Sequence, residues 1–324
     1  MRKSEEKEIK KTLIGGQALI EGIYMRGPDK MATVVRKPDG THVFRERPVP
    51  KSVKKGIASW PFIRGIFVFG ASLKNGVSEI MYSADQCELP EEEPTKFDRW
   101  IEKTIGTEAA EKVLSAVAVV FGIVTPILLF FLLPALISGL FDFSGMLWLK
   151  NLVEGVIRIL IFMIYIIATS RLKDMKRVYS YHGAEHKTIH CYEAGEELTV
   201  ENVRRHTRKH PRCGTSFLFV VMIISILVFS FLRVEQWFPQ VTGKWALMLI
   251  RLASRVIFLP VVVNISYEFN RLVGRYDNWF TLALRAPGIW MQTFTTNEPD
   301  DEMIEVAIDA LTRVIPENKE DDVW

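Results

Sequence analysis

The chain has 324 residues, of which 48% are hydrophobic and 24% charged, with a formal net charge of +3. The apolar and charged residues lie in separate blocks, which excludes an ordinary soluble domain and points to a membrane protein with substantial aqueous parts. So small a charge surplus carries no footprint for nucleic acid, and none is expected as a partner.

The opening MRKSEEKEIKK is highly charged and no apolar core with a cleavage site follows it, so no removable signal peptide is expected and the first span acts as its own insertion signal. Gly15 to Pro28, GGQALIEGIYMRGP, is punctuated by glycine. The alternating segments Met31 to Lys37 and Thr41 to Arg47 flank Pro38-Asp39-Gly40 and predict a β-hairpin, within a cytosolic segment 1–56. Ile57 to Tyr82 is apolar with Arg64, Lys74 and Glu79 spaced along it, which fits an amphipathic helix lying on the membrane better than a fifth span, with a re-entrant segment as the alternative. The acidic linker Cys87 to Pro94 and a short helix from about Phe97 complete segment 57–112 and lead into the first span.

A bilayer core takes about 20 apolar residues to cross. Val113 to Phe141 and Leu152 to Ser170, in segment 113–170, are the first two expected spans. Thr215 to Leu232 and Trp245 to Ile265, in segment 215–265, are the third and fourth. The segment before Val113 and the loop 171–214 are rich in Lys and Arg, whereas Asp142 to Asn151 and Val234 to Lys244 carry one lysine each. By the positive-inside rule both termini and the long loop face the cytoplasm, against an anionic leaflet. The expected fold is mainly α: a multi-pass protein of the bacterial cytoplasmic membrane, with about four transmembrane helices and a cytosolic α+β cap. Segment 266–324 is read as a cytosolic tail with one amphipathic helix, capped at Asn297 or a preceding Thr. That helix has acidic residues in its first turn, Ile304, Ala307, Leu311 and Val314 on one face, and Pro316 as its stop.

Two spans carry charge: Glu154 and Arg158 in one, Arg251 and Arg255 in the other. Such charges cost a few kcal/mol unless paired or hydrated, so they are expected inside the bundle, either as an ion-pair network or as a site for a lipid phosphate or another anion.

The chemistry concentrates in the cytosolic loop. His182, Glu185 and His186 spell HxxEH, the inverted zinc-metallopeptidase signature. On a helix the two imidazoles, four residues apart, face one ion, with the Glu185 carboxylate beside them to take a proton from water. His190 and Glu193 extend the stripe, but Glu193 stands about 16 Å along the helix from His182. A third ligand is needed, and Glu268, just past the last span, is a candidate; its alternative is an ion pair with Arg271 or Arg275. Five of the six histidines lie between His182 and His210. Cys191, His206, His210 and Cys213 form an alternative structural two-Cys, two-His zinc set, provided the loop folds back on itself. The bland alternative is a basic, histidine-containing loop resting on phospholipid headgroups. Di-iron desaturases share the HxxxH spacing but need a third histidine box after the last span, and no histidine follows His210.

Several strings, GGQALIEGIYMRGP, YHGAEHKTIHCYEAGEELTVENV, HPRCGTSF, SYE and APGIWMQTFTTNEP, occur in one order across nearly the whole chain. In these the sequence resembles the YqhQ-like family of uncharacterised bacterial membrane proteins, a group described as predicted metal-dependent enzymes. The resemblance implies a shared polytopic fold and adds weight to Glu21, His182, Glu185, His186, His210, Cys213 and Glu268 as site candidates.

The functional expectation is a hydrolase holding Zn(II) or another divalent transition metal at the cytoplasmic face. Glu185 is its base, Gln17 or Glu21 in a closing segment touches the substrate, and the substrate is a lipid or membrane peptide. The alternative is a non-catalytic scaffold or assembly factor with structural zinc, whose basic surface binds anionic lipid or a membrane-protein partner. Either reading leaves room for a homo-oligomer.

Overall fold

Alternation about Pro38-Asp39-Gly40 does build a hairpin, and a second hairpin precedes it. In the computed structural model, which describes residues 11–50, 59–87, 96–141, 143, 146–232, 234–241, 243–318 and 321–322, strands β1 (Gly15–Leu19), β2 (Gly22–Arg26), β3 (Lys30–Arg36) and β4 (His42–Pro48) form one antiparallel meander in the order β1-β2-β3-β4. Gly40 supplies the left-handed conformation (φ 85°) that the β3–β4 turn requires, and Asp39 Oδ1 accepts the Thr41 N–H at 2.9 Å. The β1–β2 turn puts Glu21 at φ 49°, a conformation that a residue with a side chain adopts only when held there. Arg177, Arg36 and the Tyr181 hydroxyl all bind its carboxylate.

The expected surface helix is α1 (Arg64–Gln86); Ile57 and the acidic linker from Glu88 lie outside the described residues. Its polarity is the reverse of a helix in water. The buried side carries Gly65, Gly76, Glu79 and Ser83, while Phe67, Leu73, Val77, Ile80 and Met81 face outward. Glu79, fully buried, accepts from Thr33 Oγ1 at 2.6 Å and Arg45 at 2.6 Å and pairs with Arg47, so the helix is pinned to β3 and β4 by charge rather than by apolar packing.

The helices that follow are α2 (Lys96–Ile105), α3 (Thr107–Ile127), a π-helical turn at Leu128–Leu132, α4 (Leu133–Ser138), α5 (Leu147–Thr169), α6 (Lys173–Glu193), α7 (Val200–Arg205), α8 (Gly214–Phe231), α9 (Val234–Trp237), α10 (Lys244–Arg275), α11 (Trp279–Thr295) and α12 (Asp301–Thr312). Four stretches are long and apolar enough to cross a membrane: Val120–Ser138, Trp148–Thr169, Gly214–Phe231 and Trp245–Arg275. Three expectations change in detail. The helix of the fourth apolar stretch does not stop near Ile265: α10 continues to Arg275 and carries Glu268. The tail holds two helices, since Asn278 and Thr281 form a capping box that starts α11 despite Pro287 inside it. The N-cap of α12 is Asp300, whose side chain accepts the Met303 N–H at 2.8 Å, and not Asn297.

Contacts divide the chain into two compact units. In the first (1–88, 166–224 and 259–324), the sheet, α6, α7 and α12 share one core. Ile23, Met25, Ala32 and Val34 from one sheet face meet Tyr181, Ala184, Ile189 and Cys191 of α6, Ile304, Ala307 and Leu311 of α12, and Val314 just beyond it.

The second unit (89–165 and 225–258) is built around Glu154. Its carboxylate binds Arg158 at 3.0 Å and Arg255 at 2.7 Å, so one acid serves both arginines. Pro134 has no N–H to give the carbonyl four residues back, and Arg158 Nε donates to that carbonyl, Phe130 O, at 2.7 Å. The proline and the π turn thus create an acceptor for a buried cation. Gly155 permits α5 to approach α8: a Cβ there would lie 2.3 Å from Ile226 Cγ1.

Gly155→Ala is therefore expected to lower the thermal unfolding midpoint in detergent, by the equivalent of about 1–3 kcal/mol. The double variant Gly155→Ala, Ile226→Ala should recover part of that loss; additive losses would show that the two side chains do not meet.

Candidate metal centre

From Tyr181 onward helix α6 is buried on most sides, and this fixes the site. Tyr181, Gly183, Ala184, Glu185, His186, Lys187, Thr188, Ile189, Cys191 and Glu193 are all buried, because β1 and β2, α7 and α12 each pack against it. Gly183 lets the chain before α12 come close: a Cβ would sit 2.0 Å from the Asn297 carbonyl oxygen, and Asn297 N–H donates to Tyr179 O at 2.8 Å.

His182, His186 and His190 rise along one face of α6 at four-residue intervals, and the segment 206–213 runs back beside them. The two histidine clusters meet: ring centroids lie 4.4 Å apart for His182 and His186, 5.5 Å for His186 and His210, and 4.7 Å for His190 and His210. A carbonyl takes one ring N–H of each helix histidine. His182 Nδ1 donates to Thr295 O at 2.8 Å, His186 Nδ1 to Arg208 O at 2.6 Å and His190 Nε2 to Lys209 O at 2.9 Å. These acceptors occupy Nδ1 of His182 and His186 and leave Nε2 of each ring as the nitrogen that faces Cys213 and, once deprotonated, can bind a ligand.

Ligand atoms of His182, His186 and Cys213 all lie within 4.8 Å of one another. His182 Nε2 stands 3.2 Å from Cys213 Sγ, immediately before the N-terminus of α8. Burial works to raise the Cys213 thiol, but His182 and His186 hold it well below its ordinary range. Burial likewise works to lower the His182 imidazolium, and the sulfur beside it wins, bringing it to about 9. Glu185 lies beside this trio. One of its oxygens accepts the Gly16 N–H at 3.1 Å, and the other, Oε2, is buried without a hydrogen-bond partner among the described residues. Burial pushes this carboxyl above its usual range, with His182 and His186 opposing the shift. Two imidazoles and a thiol, with both rings oriented by carbonyls, form a donor set that suits zinc or a similar divalent transition metal.

Two further groups bring ligand atoms equally close: His190, Glu193 and His210, and Cys191, Glu196 and His206. In the first, Glu193 is already bound by Arg212 and by the Thr12 N–H at 2.8 Å, and a guanidinium on the carboxylate competes with a metal. In the second, burial raises the Cys191 thiol to about 11 and its Sγ lies 3.5 Å from Glu197 O, so it is a protonated donor. The two-Cys, two-His set anticipated from Cys191, His206, His210 and Cys213 is thus divided among three groups, because the antiparallel return spreads those residues along the length of α6.

Glu268 belongs to none of these groups among the described residues. Carried on the extended α10, it is gripped by Arg64 through Nε at 2.6 Å and Nη2 at 2.5 Å, a pairing with neither Arg271 nor Arg275. Gln17 and Glu21 also stand apart from the site. Strand alternation turns Gly16 toward Glu185 and Gln17 toward Gly76 of α1, while Glu21 is held by Arg177, Arg36 and Tyr181. Gln292 on α11 is a contributor that sequence reasoning missed. Its Oε1 accepts the His210 N–H at 2.7 Å and its Nε2 donates to His210 O at 2.7 Å and Ser216 Oγ at 3.0 Å, clamping the return segment. It stands within APGIWMQTFTTNEP, but nothing in that string announces a clamp.

Residues 60–317 match the family model described as "Protein of unknown function (DUF1385)". The chain is 31% identical over 304 residues to "Uncharacterized protein YqhQ" of Bacillus subtilis (strain 168), covering 93% of this chain and 92% of that protein. No solved structure matches.

Burial lowers the His210 imidazolium to about 4, against the Glu193 carboxylate, which favours the charged ring. Glu193 is held at about 2: burial would raise it, and His210 and Arg212 bring it down. In both cases the unfolded chain binds the extra proton first, so stability rises with pH. The His210 contribution is complete above about 6.5 and lost by about 4, and that of Glu193 is lost between about 4.5 and 2. Chelator-treated protein should lose stability on acidification from pH 6.5. His210→Asn, which keeps an acceptor for the Arg212 N–H, should flatten the upper part of that slope by on the order of 1–3 kcal/mol in denaturant titrations. An unchanged slope would assign the loss to another group.

Proposed function

The chain belongs to the DUF1385 family, and for this member we propose a metal-dependent hydrolase that works at the cytoplasmic face of a bacterial membrane on a lipid or membrane peptide. The observation that carries the reading is the meeting of His182, His186 and Cys213 within 4.8 Å, beside a Glu185 carboxylate with one unpartnered buried oxygen. These three residues would hold zinc or another divalent transition metal and leave a coordination position open. When bound, such an ion lowers the pKa of a water to about 7 and polarises a carbonyl or phosphoryl oxygen. Glu185 takes the proton of the attacking water as the water oxygen bonds to carbon or phosphorus. It then gives that proton to the leaving nitrogen or oxygen as the scissile bond breaks, which regenerates the carboxylate. The Gly16 N–H fixes one oxygen of Glu185 and leaves the other to act. β1, which covers Glu185, is the element that must yield to admit a substrate.

The membrane location is supported by the four apolar helices, by the basic loop 171–214 and by the outward apolar side of α1. In this reading both termini are cytoplasmic and α1 lies in the interface among anionic lipids. The burial of His186 and Cys213 favours a second reading, in which the same ion is structural and the protein is a scaffold or assembly factor. Buried, closed coordination is the habit of structural zinc.

Elemental mass spectrometry on chelator-free, detergent-purified protein is expected to find a stoichiometric transition metal. His186→Ala and Cys213→Ala should lose it; Glu185→Gln, His210→Ala and Glu268→Gln should keep it. Under the hydrolase reading Glu185→Gln loses about 10²–10⁴-fold in activity while retaining metal. Full complementation by Glu185→Gln in cells would select the scaffold, and a metal-free wild type would sink both readings.

A further inference from the structure

The polarity of α11 is reversed from that of a helix in water. Its buried residues are Thr281, Arg285, Gly288, Met291, Gln292 and Thr295, so that mostly polar groups face the interior. Trp279, Leu282, Ala283, Ala286 and Trp290 are exposed. At about 3.6 residues per turn these five fall on one side of the helix, opposite Gly288. Arg285 is the one charged side chain in the helix, and it is turned inward: Nε donates to Val273 O at 3.1 Å and Nη1 to Asp277 Oδ1 at 2.8 Å. The outward side is therefore an uncharged apolar strip with tryptophan at both ends, the kind of surface that marks an interaction site.

The contacts on the inner side say what the outer side meets. A Cβ at Gly288 would lie 2.6 Å from Ser216 Cβ, and Gln292 Nε2 donates to Ser216 Oγ at 3.0 Å. Ser216 stands in the first turn of α8, and Gly214–Phe231 is long and apolar enough to cross a membrane. A helix held against the first turn of a span lies at the level where that span enters the bilayer. Trp279 and Trp290 are separated by about 16 Å along the axis, and tryptophan favours headgroup level, so one at each end of the strip fits an axis in the membrane plane. A second copy of the chain would also cover an apolar strip, but it would not account for the level at which Ser216 holds this one. We propose that α11 lies in the membrane interface, with Trp279, Leu282, Ala286 and Trp290 among the upper acyl chains. Lipid then holds one side of a helix whose other side gives Gln292 to His210 and Thr295 O to His182. The proposal rests on reading α8 as a membrane span and stands whether or not the histidines hold a metal.

The test uses the full-length protein reconstituted in phosphatidylcholine bilayers, with a polarity-sensitive fluorophore on a single introduced cysteine. The three native cysteines are buried, and wild type carried through the same labelling is the blank. The label on Ala286→Cys should emit at shorter wavelength, resist aqueous iodide, and be quenched by a spin label near the top of the acyl chain more than by one near its end. The label on Glu305→Cys, an exposed position of α12, should be quenched by iodide and by neither lipid. Iodide quenching at Ala286→Cys equal to that at Glu305→Cys would overturn the proposal. So would shielding from both iodide and lipid, which would mean that protein covers the strip, and so would stronger quenching by the deep spin label, which would mean that the helix does not lie in the plane. Where a labelled variant fails to fold, tryptophan fluorescence in brominated lipid decides. Trp290→Phe should lower the share of the emission that the lipid quenches, and an unchanged share refutes the site.

Discussion

A histidine buried on a helix must find a partner for one ring N–H before its other nitrogen can serve any purpose, and α6 meets that demand with main-chain carbonyls. Thr295 O, Arg208 O and Lys209 O each take one N–H from the row. The carbonyls are in place because the segment 206–213 runs antiparallel to the helix and because the end of α11 abuts it. Gln292 then clamps His210 on both its amide and its carbonyl. The orientation of the imidazoles, the position of Cys213 and the tuning of its thiol all follow from this arrangement of backbone.

The sheet plays a different part on each face. Toward α6 and α12 it offers Ile23, Met25, Ala32 and Val34 as ordinary apolar packing, with Gly16 small enough to come against Glu185. Toward α1 it offers Thr33, Arg45 and Arg47, which take hold of a fully buried Glu79. Charge on the inside releases the apolar side of α1 to the outside. A helix turned this way round suits a boundary between water and lipid, where each face meets the medium it prefers.

The parts of this fold that are legible in the sequence are those that burial writes as periodicity. The four apolar helices, the hairpin about Pro38-Asp39-Gly40 and the Ile304, Ala307, Leu311 face of α12, continued by Val314, are of this kind. β1 escapes because Gly16, hemmed in by Tyr24 O and Met25 Sδ of β2 and by Glu185 of α6, stands where an alternating strand would show a side chain. α11 escapes because Arg285 and Pro287 disguise it, yet Arg285 is spent on the terminal carbonyls of α10, donating to Val273 O at 3.1 Å. In the site, HxxEH is local and can be read directly from its spacing. The partnership of Cys213 with His182, and the diversion of Glu268 to Arg64, depend on where distant segments return, which spacing does not encode.

The network around Glu193 ties together residues 310 apart in the chain. Thr12 gives its N–H to Glu193 and its hydroxyl to Asp322 at 2.6 Å, and Tyr192 reaches the same aspartate at 2.9 Å. The strands and α12 likewise share a core although some 250 residues separate them. A ribosome finishes the sheet long before it supplies α12, and the apolar helices emerge in between. The first unit therefore closes only after those helices have been made, so the histidine row gains Thr295 later than its other carbonyl partners, Arg208 and Lys209. A chain stalled before residue 295 would leave His182 Nδ1 without this acceptor.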